Sequence, residues 1–231
     1  MSCFVLIPGA GGSAWYWHRV GPALRARGHE AVAVGLPAAD PAAGFTEYAD
    51  AVVTAVDEVG AAGRSDIVLV AQSMGGFTAP LVCERLPVSL LVFLNAMVPR
   101  AGELPADWWT VTGFGEAREE QARRGGWDVA DLDLAFLHDV PAEVLATSPD
   151  PDGPDQADTP FQRPWPGTGL PDVPIRFLQG RDDRFFPLEF QRKQVRERLD
   201  LELDEMPGGH LVALSRPEEL ADRLVAYSAG R

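Results

Sequence analysis

Apolar and polar positions along this chain alternate in blocks. Short apolar runs stand at CFVLI (3–7), AVAVGLP (31–37), IVLVA (67–71), LLVFLNA (90–96), VPIRFLQG (173–180) and LELDEM (201–206). Runs of this length, bounded by Gly and Pro, are read as strands, and the continuous ones as strands buried on both faces. The segments between them predict helices over 15–27, stopped by Gly28; 46–59, with Thr46 as N-cap; 74–86, stopped before Pro87; 188–198; and 216–228. Four strand–helix units, a gap and two further units predict a parallel α/β sheet carrying one insertion.

That insertion, about 97–172, has its own composition. It holds four of the six tryptophans, Trp108, Trp109, Trp127 and Trp165, and the stretch TSPDPDGPDQADTPFQRPWPGTG. So much Pro, Asp and Gly argues against regular structure there, and an irregular stretch of such length is functional, as in a lid, or mobile. Trp108, Trp109, Phe114, Trp127 and Phe136 are expected to form a small core of the insertion, with one or two rings reaching a ligand pocket.

The overall composition is that of a globular protein, with 46% hydrophobic and 23% charged residues among 231. A net charge of −14, with Lys193 the only lysine and no basic cluster beyond ARR at 122–124, argues against nucleic acid or anionic membrane as a partner. Cys3 and Cys83 fit no metal-ligand spacing and are expected as buried reduced thiols. No basic leader with a cleavage site opens the chain, and no apolar run approaches the ~18 residues needed to span a bilayer. A soluble, cytoplasmic location is therefore expected, with no metal and no organic cofactor. No pattern in the sequence sets an oligomeric state.

Candidate chemistry lies where the third strand meets the third helix. Ala71-Gln72-Ser73-Met74-Gly75 is one methyl group away from G-x-S-x-G, the turn in which small flanking residues let a serine hydroxyl stand out above a sheet. The helix predicted from Met74 would aim its free amides and positive dipole end at the same point, which suits an oxyanion. An activated serine needs a base and an orienting carboxylate. His210 follows the sixth strand on the glycine-rich MPGG, and Asp182 and Asp183 follow the fifth in LQGRDDRFFP. Serine, acid and histidine thus fall in the order of strand–turn–helix hydrolases, all at the carboxyl edge where open α/β sheets bind ligands.

The segments FVLIPGAGGSAWYW, AQSMGG, VFLNAMVP, GRDDRFFPLEFQ and PGGHLVALSRPEEL resemble the α/β-hydrolase fold. Within it they are similar to the group of plant methyl esterases, hydroxynitrile lyases and related bacterial esterases. They span nearly the whole chain outside the insertion. The resemblance implies one domain over 1–231, six core strands ordered 2-1-3-4-5-6, and a helical cap at 97–172. It implies Ser73 as nucleophile, His210 as base, Asp183 as acid with Asp182 the alternative, and an oxyanion hole from the backbone N–H groups of Ala10 and Met74. Gly9, Gln72, Asn95, Trp108, Trp109 and His138 are the candidate substrate-binding residues. Two departures reshape the site wall: Pro8-Gly9 replaces the group's His-Gly, and Ala71-Gln72 its Gly-His. Gly9 and Leu211 stand where the lyases carry Thr and Lys, so nothing obvious would stabilise a departing cyanide. Hydrolysis of a carboxylic ester of a largely apolar small molecule is the expected activity.

Competing patterns are weaker. Gly9-Ala10-Gly11-Gly12-Ser13-Ala14 matches a dinucleotide fingerprint, but the second strand ends without the acid that would hold a ribose. Cyclase, lyase or receptor roles on the same scaffold are the remaining alternatives, because fold alone does not define function. His18 and His29 read as structural or surface residues.

Overall fold

The apolar runs lie side by side in one parallel sheet in the computed structural model of the chain, which describes residues 1–150 and 155–230. Its strands are β1 (Cys3–Ile7), β2 (Glu30–Ala33), β3 (Ile67–Gln72), β4 (Val88–Leu94), β5 (Ile175–Gly180) and β6 (Asp204–Met206), in the order β2-β1-β3-β4-β5-β6. Val5 lies between Val32 and Leu69, and Phe93 lies opposite Phe177.

The period of two divides the strand residues between two cores. On one face Val5, Ile7, Leu69, Leu91 and Phe93 pack with α2 (Phe45–Glu58), α3 (Gly75–Cys83) and α9 (Leu188–Leu199). On the other, Leu6, Val68, Val70 and Val92 pack with Trp17, α1 (Val20–Ala26) and α11 (Pro217–Ala229). Each such fully buried aliphatic or Phe side chain contributes roughly 1.5–3 kcal/mol.

Several boundaries differ from expectation, each for a local reason. The helix expected over 15–27 divides into a 3-10 turn, Ala14–Trp17, and α1, because Pro22 has no N–H to continue the ladder back to His18. β2 stops at Ala33, since Leu36 N–H turns instead to the Gly12 carbonyl at 2.8 Å. The cap of α2 is Gly44 rather than Thr46: Glu47 reaches back and accepts the Gly44 N–H at 2.7 Å. β6 is confined to three residues because it is an edge strand paired only with Leu178–Gly180. Cys3 is buried, whereas Cys83 is only partly so.

Between β4 and β5 the described residues form a 3-10 turn, Pro105–Asp107, and five α-helices: α4 (Trp108–Val111), α5 (Phe114–Gly125), α6 (Leu132–Leu137), α7 (Ala142–Leu145) and α8 (Thr159–Gln162). The last lies in the stretch read as irregular, where Pro160 suits a first helical turn; residues 151–154 of that stretch lie outside the described residues. Several polar contacts fasten the insertion to the sheet layers. Trp165 Nε1 donates to Phe77 O at 2.8 Å, and Glu103 forms a buried two-point pair with Arg198, both contacts at 2.8 Å. Trp108 and Phe114 are not a separate small core: they join the main one, against Phe186 and Phe190. α10 (Val212–Ser215) follows His210 and leads into α11. Among the described residues no helix is long and apolar enough to cross a membrane.

Candidate active site

The turn from β3 to α3 holds Ser73 at φ 51°, in the left-handed region that residues with a Cβ rarely enter. Such a conformation costs ~1–3 kcal/mol and persists only where the surroundings impose it. Here Ser73 N–H donates to Leu94 O at 3.2 Å and Ser73 O accepts from Met97 N at 3.0 Å, so the end of β4 grips the turn. The two following glycines permit the close packing. A Cβ on Gly75 would lie 2.6 Å from Pro8 O, and one on Gly76 would collide with the Met97 carbonyl.

A continuous chain of contacts leads from this hydroxyl. His210 Nε2 lies 3.1 Å from Ser73 Oγ, and His210 Nδ1 lies 2.8 Å from Asp183 Oδ2. Asp183 also accepts from the Phe185 and Phe186 amides at 2.8 and 2.9 Å and from Gln179 Nε2 at 3.2 Å, so both carboxylate oxygens are satisfied though fully buried. Asp182 faces away, exposed, and accepts the Gly208 N–H at 2.9 Å. Phe136, Phe185 and Phe186 surround the imidazole with ring centroids 5.1–5.2 Å from it. This apolar collar strengthens the polar contacts inside it.

A cavity of about 490 Å³ adjoins Ser73 through Gly9, Ala10 and Gln72. Its apolar wall includes Trp15, Leu137, Leu145, Leu211 and Leu214, and Asp133 and Asp150 stand on its border. The Gly11 amide is taken by Gln156 Oε1 at 3.0 Å and the Gly12 amide by Gly9 O at 3.1 Å. The amides of Ala10 and Met74 carry no hydrogen bond among the described residues. Burial raises the Tyr16 phenol far above its ordinary range, so this cavity residue remains a neutral hydroxyl.

The candidate substrate-binding residues separate into two groups. Gly9 and Gln72 line the cavity. Asn95 does not: it is fully buried and its amide is spent on backbone groups. Trp108 is fully buried in the main core, with Nε1 donating to Val98 O at 3.3 Å. Trp109 packs on Phe114, Phe161 and Phe185, one ring removed from His210. His138 borders a different depression, with Gln121, Trp127, Arg184 and Arg216, on the far side of the 208–210 loop. His18 bonds Trp15 O at 2.8 Å, and His29 accepts from Ser2 N at 3.1 Å.

Gln179 and the leucines of the cavity wall were not legible as site residues, whereas Phe136 is one of the insertion rings expected to reach the site. Leucine at helical spacing reads as core, and nothing local marks Gln179 as the partner of a carboxylate four residues later. The glycine loop after β1 leads into a 3-10 turn, not the α-helix a dinucleotide pyrophosphate requires. Among the described residues, no group of three His, Cys, Asp or Glu side chains is placed to hold a metal ion.

A strained serine between β3 and α3, with its partners at the ends of β5 and β6, defines an α/β hydrolase. The chain belongs to the alpha/beta hydrolase family, whose model matches residues 4–223. It is 30% identical to a protein of Oryza sativa subsp. indica described as a probable esterase, over 98% of this chain and 96% of the relative. It is 26% identical to the alpha-hydroxynitrile lyase of Arabidopsis thaliana, over 97% and 96%. The structure of polyneuridine aldehyde esterase superposes with a TM-score of 0.76 at 22% identity, covering 99% of both chains. By its family and by the probable esterase it resembles, it is an esterase-like enzyme.

Proposed function

We propose that this chain hydrolyses carboxylic esters of small, largely apolar molecules through Ser73, His210 and Asp183. The observation that carries the reading is the contact chain from Ser73 Oγ through both imidazole nitrogens to Asp183, at 3.1 and 2.8 Å. Ser73 Oγ attacks the ester carbonyl carbon as His210 Nε2 takes the hydroxyl proton. Asp183 holds the imidazole with Nδ1 protonated and stabilises its charged form. The tetrahedral oxyanion is received by the amides of Ala10 and Met74, each such donor being worth ~3 kcal/mol of barrier. As the C–O bond breaks, Nε2 returns the proton to the departing alkoxide. Water, activated by the same nitrogen, then attacks the acyl-enzyme, releases the acid and restores Ser73.

The segment between β4 and β5 serves as the cap, its Leu137 and Leu145 closing an apolar wall over the bound molecule. The cavity offers Asp133 and Asp150 but, among the described residues, no Lys or Arg, which favours neutral or cationic esters over anionic ones. Hydrolysis is favoured over lyase chemistry by Leu211 beside His210, and by Lys193, the sole ammonium side chain, lying exposed on α9. The test is labelling with a fluorophosphonate, read by intact mass, on wild type, Ser73→Ala and His210→Ala. One label per wild-type chain and none on either variant is the expected result. A wild type that resists the probe and leaves short p-nitrophenyl esters intact overturns the reading.

A further inference from the structure

We infer that Asn95 is a positioning residue for the reaction, fixing the loop that carries His210 against the strand end that leads to Asp183. This rests on the catalytic reading of Ser73, His210 and Asp183 and deepens it. Asn95 follows β4 directly, is fully buried, and has φ 45°. Of the residues with a Cβ, Asn is among those that enter this region most readily, but glycine would do so at less cost. The side chain gives the reason for its presence.

Asn95 Oδ1 accepts the Gly180 N–H at 2.6 Å, at the last residue of β5. Its Nδ2 donates both hydrogens, to Gly209 O and to His210 O, each at 3.0 Å. One amide therefore ties the strand end before Asp183 to the residue that carries the imidazole. Its backbone belongs to the same junction: Asn95 N–H donates to Leu178 O at 3.0 Å, and its neighbours Leu94 and Met97 bond the backbone of Ser73. All three loops of the site thus meet at one strand end, and the Asn95 side chain bridges two of them.

A primary amide supplies one acceptor and two donors at this size. A carboxylate of the same shape supplies acceptors alone and would face two backbone carbonyls. The charged and titratable groups about this junction are Arg181 and Asp182, both exposed, Asp183 and His210, which pair with each other, and, from the insertion, Asp139, which accepts the Gly209 N–H at 2.7 Å, with His138 beside it.

The experiment compares wild type with Asn95→Asp and Asn95→Ser, using steady-state hydrolysis of a p-nitrophenyl ester from pH 5.5 to 9.5. Fluorophosphonate labelling rates and melting temperatures are measured at the same pH values. In Asn95→Asp the introduced carboxyl serves while it carries a proton, donating to one carbonyl; once ionised it repels both. Its kcat is therefore expected to fall as pH rises through a new ionisation that wild type lacks, while KM stays within ~2-fold. Asn95→Ser, with one donor and no titrating group, is expected to lose kcat by ~10–100-fold at every pH, the scale of a small misplacement of a reacting group. Labelling should slow by the same factor.

Folded variants whose kcat and labelling rate track wild type across the range, or whose loss lies in KM alone, overturn the inference and leave Asn95 a structural residue. If Asn95→Asp unfolds at high pH, its melting temperature reveals this and Asn95→Ser decides the matter. A wild type that neither labels nor hydrolyses the ester overturns the catalytic reading, and this inference with it.

Discussion

The sheet edge and the β4–β5 insertion meet around His210, yet different forces hold them. At the edge, short directional bonds dominate: the Asp183 carboxylate accepts four, Asn95 makes three with its side chain, and the Ser73 turn is pinned through both its N–H and its C=O. In the insertion most helices are four to six residues long. Tilted and edge-on rings around Trp108, Trp109 and Phe114 fill much of its volume, with the Glu103–Arg198 pair among its polar anchors. Directional bonds place an atom to within tenths of an ångström, as proton transfer demands. Ring packing fills volume and tolerates changes of shape. Under the proposed function, the edge carries the chemistry and the insertion selects what reaches it.

This contrast can be broken experimentally. Ser73→Ala and His210→Ala should each lower kcat/KM by ~10⁴–10⁶-fold while the urea midpoint stays near wild type. Large losses of stability in both would mean that the edge is primarily scaffold. Glu103→Ala should show the opposite pattern. Removing one partner of a buried pair costs about 3–5 kcal/mol, so a lowered denaturation midpoint is expected with kcat within ~3-fold of wild type. A kcat that collapses in a still-folded Glu103→Ala would show that the insertion governs chemistry as well.

A smaller effect belongs to the scaffold beneath both regions. Burial raises the Cys3 thiol and pushes the Cys83 thiol up to about 12, and it raises the Tyr16 and Tyr227 phenols, from ordinary values of 9.0 and 10.0 respectively. Above pH ~9 the unfolded chain releases protons that the folded chain keeps, so stability falls as pH rises. The urea midpoint at pH 9.5 should lie below that at pH 8, the unfolding free energy falling by on the order of 1 kcal/mol. A flat midpoint would contradict the burial. The smallest expected effect tests the insertion's role in selection. With Asp133 and Asp150 on the cavity border, a neutral ester should be preferred a few-fold over an anionic one of similar size, and the preference should shrink with added salt. Asp133→Asn should narrow it further; no change on either count would remove those carboxylates from substrate selection.

Parts of this arrangement are local enough to read along the chain. Apolar runs of strand length, helices stopped by Gly28 and Pro87, and small residues around Ser73 are patterns of neighbours, and they lead to the parallel six-stranded sheet and its carboxyl edge. The order of Ser73, the Asp182-Asp183 pair and His210 is visible for the same reason. Misplaced boundaries arise where a neighbour's chemistry competes, as with Pro22 inside an expected helix and Glu47 capping from three residues beyond Gly44.

Other features exist only once distant segments are brought together. Asn95 reads as a pocket residue because it is polar at a strand end, but it lies inward because Gly180, 85 positions away, presents an unpaired amide to it. Trp108 reads as a candidate pocket residue in a small core of the insertion, but Phe186 and Phe190 of another segment draw it into the main core. Gln156 reaches Gly11 across 145 positions, and no periodicity anticipates that bond. Periodicity and turn chemistry act between adjacent residues and are written in the order of the chain. Which of two aspartates faces His210, where the cavity lies and what each buried polar group bonds depend on contacts between residues far apart in sequence, and those were decided by the tertiary structure.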